Sequence, residues 1–150
     1  MKYLLLVLIS SIFLSGCNSD STELMSQTLD FVFPKTNKEV IINSKAPVDV
    51  VLLPDYGNVL VTKTGKPLYV KSGDTSSVST CYDDCSIAWP PLTVEFEGDV
   101  SGDYGVLTRN DGTLQVTRLG MPLYSYVPDK IRIVTGDGYK GIWSVVIVEE

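Results

Sequence analysis

The 150-residue chain contains no histidine. That absence removes the imidazole base of Ser-His and Cys-His nucleophile pairs, every His-ligated metal site, and haem attachment of the Cys-x-x-Cys-His kind. A Gly-x-Ser-x-Gly elbow and a phosphate-cradling glycine loop are also missing. Basic residues are few, 12 against 18 acidic, for a net charge of −6 and no basic run. Such a balance gives no electrostatic reason to bind nucleic acid. No stretch keeps a helical period over three turns, and no apolar run reaches the roughly 20 residues of a membrane-spanning helix. Cysteine is scarce, with three residues, at Cys17, Cys81 and Cys85.

What is present begins with Met1-Lys2 and an apolar run from Tyr3 to Leu14, broken only by Ser10 and Ser11. One cation followed by a short apolar run is the pattern of a secretory signal. The run ends in Leu14-Ser15-Gly16-Cys17, which resembles the lipobox of bacterial lipoproteins. The resemblance implies a removable signal over residues 1–16 and a diacylglycerol on the Cys17 thiol. Several acyl chains there would anchor the protein stably without spanning the bilayer, each buried methylene contributing roughly 0.8 kcal/mol. Losing residues 1–16 takes Lys2 and leaves 11 basic against 18 acidic side chains. That balance reads as a domain held off an anionic surface by its tether. Asn18 rather than Asp after the cysteine makes the outer membrane the expected address in a Gram-negative host. Residues 17–45 read as the lipidated start and a polar tether, with β-prone pieces at 31–33 and 39–42 left unassigned.

From Val48 onward β signals are dense. Strands are expected at 48–53, 59–62, 67–70, 93–96, 104–108, 114–117, 122–126, 132–134 and 143–148. Gly65 is expected to supply the positive φ of a hairpin turn between the second and third. One short helical turn fits residues 81–89, ending before Pro90-Pro91. The expectation is an all-β fold.

The sequence also repeats. Leu60-Val-Thr-Lys-Thr-Gly-Lys-Pro-Leu-Tyr69 aligns with Gln115-Val-Thr-Arg-Leu-Gly-Met-Pro-Leu-Tyr124 at an offset of 55. Asp74 matches Asp129 at that offset, and Trp89 matches Trp143 one residue short of it. Two hairpin units, about 56–92 and 111–146, would pair into one pseudo-symmetric β domain over 46–150.

These units resemble the secreted repeat of predicted lipoproteins described by a Tyr-x-(Phe/Trp/Tyr)-x-x-Asp motif. Tyr124-Ser-Tyr126-Val-Pro-Asp129 fits it fully, whereas Tyr69-Val-Lys71-Ser-Gly-Asp74 has a lysine at the aromatic position. The first unit alone carries Cys81-Tyr-Asp-Asp-Cys85 and Trp89-Pro90-Pro91-Leu92. The resemblance implies export and anchoring but no reaction.

Each constellation has a plain and a sharper reading. Tyr69 and Tyr124 read as packing, with phenols bonded to a carboxylate such as Asp74 or Asp129. The sharper alternative is a pair of Tyr/Asp ligand sites that would include Tyr126. With Cys17 used by lipid, Cys81 and Cys85 form an even pair in an oxidising compartment, which suggests a disulfide. A metal site with Asp83 or Asp84, or a redox pair, is the alternative, and thiolates beside carboxylates without imidazole make a poor zinc site. Trp89 either plugs a small core or offers a stacking face to a sugar or peptide. Glu95, Glu97, Asp99 and Asp103 are hydrolase candidates by density alone, and Gly136-Asp137-Gly138 is a weak calcium signal. The chain is therefore expected to be a non-catalytic envelope lipoprotein with no cofactor and no metal, binding or scaffolding an envelope protein or polysaccharide. The alternatives are an accessory to extracytoplasmic electron transfer or metal handling, and a carbohydrate or peptidoglycan binder.

Overall fold

The computed structural model of the chain describes residues 45–149. The signal, Cys17, the tether up to residue 44 and its β-prone pieces lie outside those residues. Strands β1 (Val48–Leu53) and β2 (Gly57–Thr62) form a hairpin, followed by β3 (Leu68–Lys71), the five-residue helix α1 (Asp84–Ala88) and β4 (Thr93–Val94). Then come β5 (Tyr104–Thr108), β6 (Leu114–Arg118), β7 (Met121–Pro122), β8 (Tyr124–Ser125) and β9 (Trp143–Val145). The fold is all-β, every pairing is antiparallel, and α1 falls within the expected window. No described helix is long and apolar enough to cross a membrane.

The β1–β2 hairpin has its counterpart in β5–β6, so each repeat opens on an antiparallel pair. The turn after β2 forms as expected, with Gly65 at φ 84, Thr62 N–H donating to Lys66 C=O, and Val61 bridging Pro67. A hairpin ladder does not continue, however. Pro67 has no N–H to donate, and the chain leaves β2 to place β3 between β8 and β9. In the second repeat β6 likewise pairs β7 at Thr117 with Pro122 before the chain departs into β8.

The departing strands meet each other. Tyr69 on β3 is directly opposite Tyr124 on β8, so equivalent residues of the two repeats are register partners about a pseudo-two-fold axis. Outside them, β9 pairs β3, and Pro91 bridges Tyr124 while the Pro90 carbonyl accepts from Ser125. The prolines sit on an edge, where no donor is required of them. The repeats then exchange their closing segments. Leu92 donates to Leu123 and accepts from Val116, while Val146 donates to Leu68 and accepts from Leu60. Neither repeat completes its own sheet, which is why the two form one domain.

Because β2 is buried on both faces, its side chains alternate between two cores. Val59 and Val61 join Tyr69, Tyr124, Trp89, Trp143 and Cys81 in an aromatic cluster. Leu60 joins Val48, Leu68, Val116, Leu123 and Val146 in an aliphatic one.

Residues 132–134 are not a strand, although Ile131, Ile133 and Val134 favour one by propensity. They belong to a tight turn in which Ile133 N–H donates to Lys130 C=O, and Arg132 takes φ 59 while its N–H donates to Gly65 C=O. Tertiary bonds to a loop outweigh β propensity here. The strand expected at 93–96 stops at Val94, the one at 122–126 is split around Leu123, and the one at 143–148 ends at Val145, with Ile147 bridging Val59.

Candidate functional site

The motif residues converge on the pseudo-symmetry axis. β3 and β8 carry Tyr69 and Tyr124 into the interior, where both are fully buried. The loop after each strand returns a buried aspartate, but to the other repeat's tyrosine: Tyr124 Oη donates to Asp74 Oδ2 at 2.5 Å, and Tyr69 Oη to Asp129 Oδ2 at 2.6 Å. The second carboxylate oxygen ties down its own loop. Asp74 Oδ1 accepts from the Thr80 amide and hydroxyl, and Asp129 Oδ1 from the Thr135 amide and hydroxyl. Both oxygens of each buried aspartate are therefore engaged, and each repeat is fastened to its twin. Burial, followed by the carboxylate acceptor, pushes the Tyr124 phenol up to about 12 and the Tyr69 phenol up further still.

The tryptophans complete the axis. Trp89 and Trp143 stack 3.9 Å apart at 4°, and each meets a tyrosine nearly at right angles, Trp89 with Tyr69 and Trp143 with Tyr124. Tyr126 stacks on Trp89 at 4.0 Å, which gives the aromatic position of the motif a physical role. Glycine is obligatory at 136, since a Cβ there would lie 2.6 Å from the Trp89 ring. At the corresponding place in the first repeat stands Cys81, fully buried and disulfide-bonded to Cys85. Lys71, which replaces the motif aromatic, turns its Nζ to Thr80 Oγ1 at 2.7 Å.

The sequence-predicted set Tyr69, Asp74, Trp89, Tyr124, Tyr126 and Asp129 thus occupies one site, with Cys81 and Cys85 beside it. Glu95 and Glu97 are not part of it and lie exposed. Asp99 accepts the Phe96 amide, and Asp137 accepts the Val145 amide rather than sitting in an open loop. An open groove of about 410 Å³ at the β4 edge, lined by Lys45, Pro47, Thr93, Val94, Gly98 and Asp99, shares none of these residues. Among the described residues no cluster of three or more acidic or cysteine side chains could hold a metal.

Sequence reasoning missed the groups that support the site. Thr80 and Thr135 recur at the offset of 55 and were findable by extending the repeat comparison. Arg109 was not, because Pro54 stands at its counterpart position. Buried in the interior, Arg109 donates to Ser79 Oγ at 2.8 Å, Gln115 Oε1 at 2.7 Å and the Cys81 carbonyl at 2.6 Å. Ser79 in turn bonds Tyr124 Oη at 2.7 Å, so a chain runs from guanidinium through hydroxyl and phenol to Asp74. Arg109 Nε is the one buried side-chain polar atom among the described residues without a partner, Asp111 lying 3.8 Å away.

No curated protein and no solved structure matches the chain significantly. A family model described as a secreted repeat of unknown function matches twice, over residues 50–93 and 105–147, each match beginning within β1 or β5 and ending beside the exchanged closing segment. With the duplicated unit interlocked in the structure and more than half of the sequence covered, the chain belongs to this family of secreted repeats.

Proposed function

We propose that the protein is an envelope lipoprotein, anchored through a lipid on Cys17, whose repeat domain is a non-catalytic binding or scaffolding module for another envelope component, a protein or polysaccharide. One observation carries the non-catalytic part: the groups best suited to chemistry, two phenols and two carboxylates, are buried and bonded to one another and to Thr80 and Thr135. A site that spends its polar atoms on cross-repeat bonds acts as a clasp. Trp89, 3% exposed between two rings, has no face left for a sugar, and the joined sulfurs of Cys81 and Cys85 favour a brace over a metal or redox centre. In a host with two membranes the outer one is the proposed address, from Asn18.

Two measurements test this reading. Intact mass of the mature protein should show an acylated Cys17 N-terminus, and Cys17→Ala should abolish the acyl mass. A processed but unacylated chain would sink the anchor. Alkylation under mild reductant should leave Cys81 and Cys85 unmodified until the protein is denatured, and a readily opened bridge would restore the redox alternative.

A further inference from the structure

The two repeats place a turn at the same point of the chain but differ there in backbone and in surface: Arg132 takes φ 59 and bonds Gly65 C=O, whereas its counterpart Ser77 bonds Thr75 Oγ1. After each buried aspartate comes a tight turn: Thr75-Ser76-Ser77-Val78 in the first repeat and Lys130-Ile131-Arg132-Ile133 in the second. The bridge between Thr75 and Val78 is repeated between Lys130 and Ile133. The first sequence has ordinary turn residues. The second places isoleucine and arginine at the tip, against turn preference, and holds Arg132 at φ 59, a conformation unfavourable for a long side chain. The fold does not require these residues, since the sister turn closes without them.

Their exposure is deliberate in the same sense. Ile131 is 64% exposed and Ile133 50%, and Val127 at the start of the loop is 52% exposed. The turn at 63–66 lies against them: Gly65 comes so close that a Cβ there would meet Ile131 Cγ2 at 3.0 Å, and Lys66 Nζ reaches the Val127 carbonyl. Lys130 and Arg132 thus alternate along the turn with exposed Ile131 and Ile133, and Lys66 reaches the exposed Val127 at its base. Among the described residues none of these three cations has a carboxylate within ion-pair distance, whereas the nearby Lys63 is paired with Asp49. The counterparts of Lys130, Ile131 and Arg132 are Thr75, Ser76 and Ser77, so the first repeat's turn keeps exposed aliphatics at Val78 and at the neighbouring Leu119 but carries no cation and no apolar side chain at its tip.

We propose that the turn Lys130-Ile131-Arg132-Ile133, with Val127 and Lys66, docks the repeat domain on an anionic phospholipid surface. Cations alternating with aliphatic side chains at a rigid tip complement negative headgroups above an acyl layer, which neither a polysaccharide nor an acidic peptide would match on the apolar side. The net charge of the chain points away from such a surface, and its distribution does not. The proposal rests on the envelope reading and extends it: the lipid on Cys17 tethers, and this turn sets which face of the domain meets the bilayer.

The test uses the full acylated chain in vesicles with brominated acyl chains, made of phosphatidylcholine alone or mixed with phosphatidylglycerol. Ile131→Trp and Ser76→Trp report the two sister turns against a background of two buried native tryptophans. Ile131→Trp should be quenched in the anionic vesicles and not in the zwitterionic ones, with Ser76→Trp quenched in neither. Adding Lys130→Ser and Arg132→Ser should lower the docked-to-undocked ratio roughly 25-fold, from about fivefold per cation near an anionic surface. Equal quenching at both turns, or no dependence on phosphatidylglycerol, overturns the proposal, and a turn that serves a protein partner gives that second result. Ile133→Trp repeats the measurement should Ile131→Trp disturb Gly65. A chain that fails to float with the vesicles refutes the anchor instead. Added then from solution, it should still show quenching dependent on phosphatidylglycerol, and its absence overturns the docking turn as well.

Discussion

Around Asp129 the clasp is spare: one phenol from Tyr69, the Thr135 amide and hydroxyl, and the Gly136 amide donating to the phenol oxygen. Around Asp74 the same clasp is reinforced. Tyr124 also bonds Ser79, Ser79 is held by Arg109, and Cys81, two residues further on, is bridged to Cys85. The second repeat, lacking the bridge, instead packs Gly136 directly against the Trp89 and Tyr126 rings. What both repeats retain, the Tyr-to-Asp bond across the axis, the threonine below it and the stacked tryptophan, is what joins them. What differs shows two ways of bracing the same loop, one by disulfide and buried guanidinium, the other by close aromatic packing.

Breaking the shared parts should cost most. Trp89→Ala and Trp143→Ala should each destabilise by about 3–5 kcal/mol in urea unfolding, Trp89 the more because it has a ring on both faces. Tyr69→Phe and Tyr124→Phe should each cost about 2–3 kcal/mol, since each takes one charge-assisted donor from a buried carboxylate. Arg109→Met sharpens the contrast. It takes a donor from Ser79 Oγ and leaves Gln115 Oε1 and the Cys81 carbonyl without theirs, at a cost of about 3 kcal/mol, and amide chemical shifts should move around Asp74 and stay put around Asp129.

The phenols also give a pH signature. A tyrosine in the unfolded chain ionises near 10, and the two clasp phenols are raised, Tyr124 to about 12 and Tyr69 further, while burial also raises Tyr104. The native state therefore favours the neutral phenol. Its contribution is complete below pH 10 and is lost as pH climbs from 10 towards 12 for Tyr124 and later for Tyr69. Ultraviolet titration should show Tyr69 and Tyr124 still neutral above pH 10, and Tyr124→Phe should remove the earlier of these two steps.

The asymmetric parts should yield smaller effects. Replacing Cys81 and Cys85 by alanine should cost about 2 kcal/mol from loop entropy, read as a lower urea midpoint. Asp83, at φ 51, stands where the second repeat has Gly138 at φ 72. Asp83→Gly should therefore stabilise by about 1 kcal/mol, the smallest change and the only gain.

Much of this was legible in the sequence. The offset of 55, Pro-Leu-Tyr, and the paired Asp and Trp residues located the site, because a duplicated core repeats its buried residues. The spacing of Tyr69 and Asp74 could not tell whether they bond each other or cross over. Proximity in sequence favours the local pair, whereas the register of β3 against β8 enforces the exchange. Arg109 left no sign because its role exists only in the first repeat's loop. Residues 132–134 read as a strand because Ile133 and Val134 favour one, whereas the bonds of Arg132 to Gly65 and of Ile133 to Lys130 make a turn that no local pattern announces.

The most direct test of the interlocked clasp is native-state hydrogen exchange on Tyr69→Phe. If the two repeats form one cooperative unit, amides of β2 and β6 should lose protection together, each by about the global 2–3 kcal/mol. A loss confined to β2 and the 127–135 loop, with β6 protected as before, would mean that the repeats are stabilised separately and that the crossed bonds do not join them.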